Sequence, residues 1–254
     1  MIRRSVALLL LSSSLFSAAH AASAVLVWPI FQTISDNEKG SELWLENRGT
    51  APVNLQLRIF SWDQKDSSDA YADQSEVVAS PPFTTVQPGQ RQLVRLMRIA
   101  PVASGKEKSY RIVIDEVPSN QPTVQTEKSS AGLKMRMRYV LPLFTYGQGL
   151  SPLKLESPVE PVRVSLGWTL SSQQGRQMLC IKNSGNQHAR LSDVYWAKNA
   201  GKREATQTQG LLGYVLAQRN VCFPVASKTS VSGGQRLFAK LTDNSQAVEI
   251  PAIH

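Results

Sequence analysis

Histidine and cysteine are scarce in this sequence, whose 254 residues include three histidines and two cysteines. A Ser or Cys nucleophile needs a base beside it, and only His188 and His254 lie beyond the first 21 residues. His188 follows the turn-like sequence Asn-Ser-Gly-Asn-Gln, so we expect it to be an exposed loop residue. No histidines or cysteines have the spacing of metal ligands, so the sequence predicts no metal site.

Other catalytic motifs are lacking too. Gly233-Gly234 is not followed by the Lys-Ser/Thr ending of a phosphate-binding loop. The neighbouring carboxylates Asp115 and Glu116 would point to opposite faces of a strand, so they could not share one substrate. We therefore expect a protein that is not an enzyme and that uses no cofactor.

Beyond its start, the chain lacks the run of about 20 apolar residues that crosses a membrane as a helix. The start itself has the three parts of a cleaved secretory signal: Arg3 and Arg4, an apolar run at 6–11, and the small-residue ending Ala19-His20-Ala21. Residues 1–21 are therefore predicted to be a signal peptide, and the remaining chain is expected to be exported without direct membrane insertion.

The balance of charge is basic. The formal net charge of +9 falls to +7 without Arg3 and Arg4, which predicts a preference for acidic partners. Nucleic acid is not the expected partner, because export removes the usual targets and the charges are scattered along the chain.

Both cysteines, Cys180 and Cys222, lie in the second half of the chain. Thiols of exported proteins are normally oxidised, which favours one disulfide within a domain. Two free buried thiols are the alternative.

Apolar residues recur at every second position in short runs separated by turn residues, which is the period of half-buried strands. One run occupies residues 53–59 and another includes Leu43 and Leu45, and the turn residues at 47–50 predict a hairpin between them. Residues 145–152 interrupt the pattern, which then resumes. The sequence thus predicts an all-β fold with two sandwich domains, residues 22–148 and 149–254.

The longest alternating run covers residues 133–144. One parity of this run is apolar and the other is basic at its start. If the strand lies at a sheet edge, it could add to the sheet of another protein through main-chain hydrogen bonds, with its apolar side chains in the partner's core. The alternative, which periodicity alone favours, is that these side chains fill the core of their own domain. Two flexible methionines and the length of the apolar edge favour strand addition.

Four segments of the first domain occur in an order and spacing that resemble a known family. They are Val-Ala-Ser-Pro-Pro-Phe (78–83), Val-Gln-Pro-Gly-Gln (86–90), Leu-Val-Arg-Leu (93–96) and Tyr-Arg-Ile-Val-Ile-Asp-Glu-Val-Pro (110–118). Together with Asn47-Arg48-Gly49 before Pro52-Val53, they resemble the first domain of the PapD-like periplasmic chaperones of the chaperone–usher pathway. The short connection at 118–132 is similar to that of the archaic, Csu-like branch.

The resemblance implies two immunoglobulin-like β-sandwich domains set at an angle, in a protein of the periplasm. Such chaperones bind pilus subunits by donor-strand complementation and deliver them to an outer-membrane usher, without metal or ATP. The run at 133–144 falls where the family's donor strand belongs. By position, the residues expected to insert into the subunit are Leu133, Met135, Met137, Tyr139 and Leu141.

Members of the family usually anchor the subunit's terminal carboxylate between an Arg of the first strand and a Lys near the end of the donor strand. Phe31 and Pro142 occupy the corresponding positions here, so this anchor is missing. Cations of neighbouring strands are expected to replace it, because Arg binds a carboxylate with a bidentate fork. The first candidates are Arg111 and Arg138, and the secondary candidates are Arg136 and Arg95.

Two other functions are weighed against a chaperone. A secreted β-sandwich fibre subunit or adhesin typically has one incomplete domain and an N-terminal donor extension, whereas this chain predicts two domains and an internal donor strand. An exported hydrolase on a β-sandwich is disfavoured by the shortage of histidines and clustered acids.

Overall fold

The computed structural model describes residues 25–118, 136–152, 164–198, 203–226, 234–242 and 245–253. All the regular elements within these ranges are β-strands, which confirms the predicted all-β fold class. Within the same ranges, no helix has the length and apolar character needed to cross a membrane. The predicted signal peptide, Leu133 and Met135 lie outside the described residues.

In the described part of the chain, ten strands precede residue 147. They are β1 (Val25–Trp28), β2 (Gln32–Ile34), β3 (Gly40–Asn47), β4 (Val53–Lys65), β5 (Ser68–Ala72), β6 (Val77–Ser80), β7 (Phe83–Val86), β8 (Arg91–Arg98), β9 (Glu107–Val117) and β10 (Arg138–Tyr146). One sheet has the order β1-β3-β8-β6; the other has the order β2-β10-β9-β4-β5, with β7 also paired to β4. The predicted alternation is borne out, because Leu43 and Leu45 of the first sheet and Leu55 and Ile112 of the second are fully buried between them.

The hairpin predicted from residues 47–50 is wrong. β3 pairs with β1 and β8, whereas β4 pairs with β9, β5 and β7, so the turn carries the chain from one sheet to the other. Asn47 makes this crossing possible although it is fully buried. Its side-chain amide donates to the carbonyls of Ala51 and Val86 at 2.8 Å each, and its Oδ1 accepts from the Gly49 N–H at 2.9 Å.

Eight strands follow within the ranges that the structure describes. They are β11 (Leu166–Gln173), β12 (Arg176–Asn183), β13 (Ala189–Ala197), β14 (Ala205–Thr206), β15 (Leu211–Val215), β16 (Asn220–Pro224), β17 (Arg236–Lys240) and β18 (Val248–Ile250). They form a β11-β12-β16 sheet and a β14-β13-β17-β18 sheet with β15 beside β13. A separate apolar cluster that includes Leu179, Trp196 and Leu237 lies between them. The two cores confirm two sandwich domains; the boundary at 148/149 stays a prediction.

The disulfide prediction is confirmed. Cys180 of β12 and Cys222 of β16 are bonded and lie directly opposite each other on neighbouring antiparallel strands. The bond therefore joins two strands of one sheet of the second domain.

Candidate functional site

The strand β10 has one free edge over its first half. Leu143, Phe144 and Thr145 pair with β2 in parallel on one side and with β9 on the other. Residues 138–142 pair with β9 only, so among the described residues their other edge faces no strand. This segment, called the free edge below, exposes main-chain groups to which another strand can add.

The side chains of β10 divide into buried and accessible sets. Leu141 is 8% exposed within the core of the first domain, and Tyr139 packs against the same core while its hydroxyl donates to the Val25 carbonyl at 2.8 Å. These two side chains already fill a core, so they cannot enter a partner without leaving it. Met137, at the entrance to the strand, is 39% exposed. Val140, on the other parity of the strand, is 46% exposed. The accessible apolar side chains are thus those of Met137 and Val140.

Arg111 of β9 is the direct cross-strand neighbour of Pro142. Residues paired in this way project from the same face of the sheet. The guanidinium therefore lies one strand away from the position where the family's Lys is expected. It sits over the Trp62 ring at 3.6 Å from the ring centroid, and it is 5.5 Å from the ring of Tyr214, which belongs to the second domain.

The guanidinium of Arg111 has few polar partners for a group whose side chain is only 13% exposed. Its Nη2 lies 3.5 Å from Asp69 Oδ2, and its buried Nε has no hydrogen-bond partner in the described part of the chain. Asp69 also accepts the Tyr71 hydroxyl at 3.0 Å and the Gln64 side-chain amide at 3.2 Å. Burial raises the pKa of the Tyr71 hydroxyl, and the charge of Asp69 raises it further.

Arg138 and Arg95, two other candidate cations, lie in different places. Arg138 is 63% exposed and forms an ion pair with Asp115, which also binds Arg58 at 2.7 Å. Burial raises the pKa of Asp115, but hydrogen bonds from the two arginines outweigh it and hold the pKa below its usual value. Arg95 is an exposed residue of β8 in the opposite sheet, so the structure does not bring it together with Arg111. A role for Arg95 as a secondary anchor stays a prediction.

Arg136, the remaining candidate, precedes β10 and is exposed. Its position at the entrance to the free edge is compatible with contact to a partner. No described contact links it to Arg111.

A cavity of about 510 Å³ lies on the outer face of the β10-β9-β4-β5 sheet. Apolar side chains line one part of this cavity, the apolar wall, and arginine side chains line another, the basic wall. The apolar wall includes Phe60, Val113 and Val140, and the basic wall consists of Arg58, Arg111 and Arg138. Such a cavity suits an apolar side chain that is attached to a carboxylate.

The two domains meet around a buried pair that the sequence did not predict. His188 is 3% exposed, so the expectation of an exposed loop residue is wrong. Its ring stacks on Phe144 at 3.5 Å between centroids, and Glu107 of β9 binds it. Phe31, which stands where the family's Arg is expected, packs against the same Phe144 ring at 5.6 Å.

The hairpin between β4 and β5 also contacts the second domain. The Gln64 side-chain amide donates to the Tyr214 carbonyl at 2.9 Å, and its Oε1 accepts the Leu216 N–H at 2.8 Å. Asp63 forms an ion pair with Arg219 at 2.5 Å. Because Gln64 also binds Asp69, the same hairpin links the domain junction to the surroundings of Arg111.

Among the described residues, no group of three or more His, Cys, Asp or Glu side chains is placed to hold a metal ion.

Comparisons with known proteins agree with this architecture. Residues 32–151 match the family model described as pili and flagellar-assembly chaperone, PapD N-terminal domain. A comparison with curated proteins gives no match.

Solved structures resemble both domains. CsuC, in the crystal structure of the CsuC–CsuE chaperone–tip adhesion subunit pre-assembly complex from the archaic Csu pili of Acinetobacter baumannii, is 29% identical with a TM-score of 0.69. The match covers 91% of this chain and 100% of that one. The YadV chaperone is 17% identical with a TM-score of 0.59, covering 89% of this chain and 96% of its own. The Escherichia coli chaperone DraB is 14% identical with a TM-score of 0.59, covering 91% and 98%. The last two support the fold alone.

Proposed function

We propose that this PapD-like chaperone, with its two immunoglobulin-like β-sandwich domains, works in the periplasm and binds pilus subunits by donor-strand complementation. It then delivers them to an outer-membrane usher. The observation that carries the proposal is the free edge of β10. Residues 138–142 pair with β9 only, whereas residues 143–145 of the same strand are paired on both sides. CsuC, which is similar over its whole length, is described in complex with a tip adhesion subunit.

The donor side chains are those that precede the buried part of β10. Because Tyr139 and Leu141 pack in the chaperone's own core, the proposed set narrows to Leu133, Met135 and Met137. Burial of three such side chains contributes about 5–9 kcal/mol, at about 1.5–3 kcal/mol each, before the entropy of association is subtracted. Main-chain hydrogen bonds along the free edge add to this and require no particular partner sequence.

The subunit's terminal carboxylate binds at Arg111, with Arg138 at the mouth of the same cavity. Arg111 is the stronger candidate because it is nearly buried and its fork is only partly used, whereas Arg138 is exposed and already paired with Asp115. A charge-assisted hydrogen bond is stronger where water is excluded, which favours the buried guanidinium.

Binding of this kind needs neither catalysis nor a cofactor, because hydrogen bonds and burial of apolar surface supply the free energy. The alternative of a fibre subunit is disfavoured because each of the two domains has its own apolar core. A subunit that requires a donated strand would have one incomplete core.

Co-expression of the mature chain with short exported proteins encoded in the same operon tests the proposal. We expect one or more of them to co-purify, and the double variant Met135→Asp/Met137→Asp to abolish recovery of the complex. Met97→Asp is the matched control, because Met97 is 36% exposed but lies on β8 in the opposite sheet. Equal recovery with the double variant and the wild type would contradict the donor role.

A further inference from the structure

We infer that Asp69 is a placeholder for the subunit's carboxylate: it occupies Arg111 in the free chaperone and is displaced when a terminal carboxylate binds. This inference rests on the proposed function, since it concerns the same guanidinium. The new element is Asp69 of the β4–β5 hairpin, which sets the affinity of Arg111 for the subunit's carboxylate.

The first argument is the need for a counter-charge. Arg111 is 13% exposed and lies against the Trp62 and Tyr214 rings, where an unpaired charge is costly. Asp69 Oδ2 is the carboxylate that meets it in the described part of the chain. A carboxylate at this point therefore stabilises the empty site.

The second argument is that the contact is weak. Its 3.5 Å separation is far longer than the 2.7 Å between Arg58 and Asp115 or the 3.0 Å between Arg91 and Glu46. Arg–carboxylate pairs with good geometry are about 2.7–2.9 Å long and often bidentate. Arg111 thus retains donor capacity that a better-placed carboxylate can use.

The third argument is that Asp69 can be released at low cost. Its side chain is 34% exposed. It also accepts hydrogen bonds from the Tyr71 hydroxyl and the Gln64 side-chain amide, two donors other than Arg111. After displacement its charge therefore stays hydrogen-bonded and partly hydrated.

Carboxylate binding can be measured without an identified subunit. The probe is N-acetyl-leucine, with N-acetyl-leucinamide as the matched uncharged probe, titrated into the mature chain. Binding is followed by NMR through the Arg111 side-chain N–H and the Trp62 indole. We expect the acid to bind more tightly than the amide, and Arg111→Ala to remove this preference.

Asp69→Asn tests the placeholder directly. We expect it to tighten binding of the acid at least fivefold and to leave the amide unchanged. Asp73→Asn is the matched control, because Asp73 lines the same cavity and has no described ion pair with Arg111. It should alter the affinity less than twofold. Asp69→Ser is the second variant if Asp69→Asn does not fold.

The outcomes separate the two proposals. If the acid binds through Arg111 but Asp69→Asn leaves the affinity unchanged or weaker, the placeholder is overturned and the anchor stands. If neither the wild type nor Asp69→Asn distinguishes the acid from the amide, the anchor and the placeholder are both overturned. The donor-strand proposal is then still judged by co-purification.

Discussion

Glu107 of the first domain and His188 of the second form a buried pair, with 2.9 Å between the ring Nδ1 and Glu107 Oε2 and side-chain exposures of 0% and 3%. The His188 main-chain N–H donates to the other carboxylate oxygen at 2.9 Å. Tyr146 adds a hydrogen bond to Glu107; its pKa is raised well above the usual value, first by burial and then by the charge of this carboxylate. The Glu107 carboxylate thus binds three groups where the domains meet: the His188 ring, the His188 main-chain N–H and the Tyr146 hydroxyl.

His188→Ala is expected to lower the free energy of unfolding by about 3–5 kcal/mol, because it leaves the Glu107 carboxylate buried with fewer partners. Urea denaturation of the mature chain measures the loss. Adding Glu107→Gln should recover part of it, since the buried charge is then gone. Losses that simply add in the double variant would show that the pair is not coupled.

Gln64→Leu should destabilise the protein by about 1–3 kcal/mol, since it leaves the buried Leu216 N–H without its acceptor. The measurement is the midpoint of thermal unfolding. Gln56→Leu is the control, because Gln56 is an exposed residue of the same strand and pairs with Phe83 and Asp115 of the first domain. Equal midpoints for the two variants would argue against the importance of this junction.

The ion pair of Asp63 with Arg219 should weaken in acid. A hydrogen bond from Arg219 lowers the pKa of Asp63 below its ordinary value of 3.8, and burial opposes it. A lowered folded-state pKa means that the stabilisation is fully present above about pH 3.8 and is lost as the pH falls from there through the folded-state value. The difference in unfolding free energy between the wild type and Asp63→Asn should therefore shrink over that interval. A difference independent of pH would refute this assignment.

The double variant Cys180→Ser/Cys222→Ser should lose about 4 kcal/mol of stability, the loop-closure estimate for a sequence separation of 42. Chemical denaturation without reductant measures it. The proposed donor strand lies in the other domain, so recovery of subunit complexes should fall far less than with Met135→Asp/Met137→Asp. A complete loss of complexes from a folded variant would contradict this independence.

Periodicity predicted burial well but could not assign strands to sheets. The alternation at 53–57 places Val53, Leu55 and Leu57 in the core as expected. Pairing depends on contacts across the sandwich, and so the hairpin predicted at 47–50 was wrong, and Arg95 lies in the opposite sheet from Arg111. An alternating strand has the same pattern in either sheet.

The domain junction was the least predictable region. Glu107 and His188 are 81 positions apart. Glu107 lies in a strand-like segment and His188 follows a turn-like one, and neither context indicates that the two side chains form a buried pair. Gln64 and Asp69 likewise belong to no recognisable sequence motif, so their contacts could not be predicted. Arg111 is a candidate anchor because the resemblance shows that the usual cations are missing, and its role stays a prediction.

Because β10 is paired on both sides only at residues 143–145, it also limits how far a strand of the proposed partner, the guest strand, can extend along it. A guest that extends along the free edge reaches Leu143, whose main-chain groups on that side are already committed to β2 at Gln32. β2 therefore blocks further extension, and under the proposed function a guest strand can pair only with the residues of β10 that precede Leu143. Guest strands of unrelated sequence would meet the same limit, because the main chains of β2 and β10 alone set it.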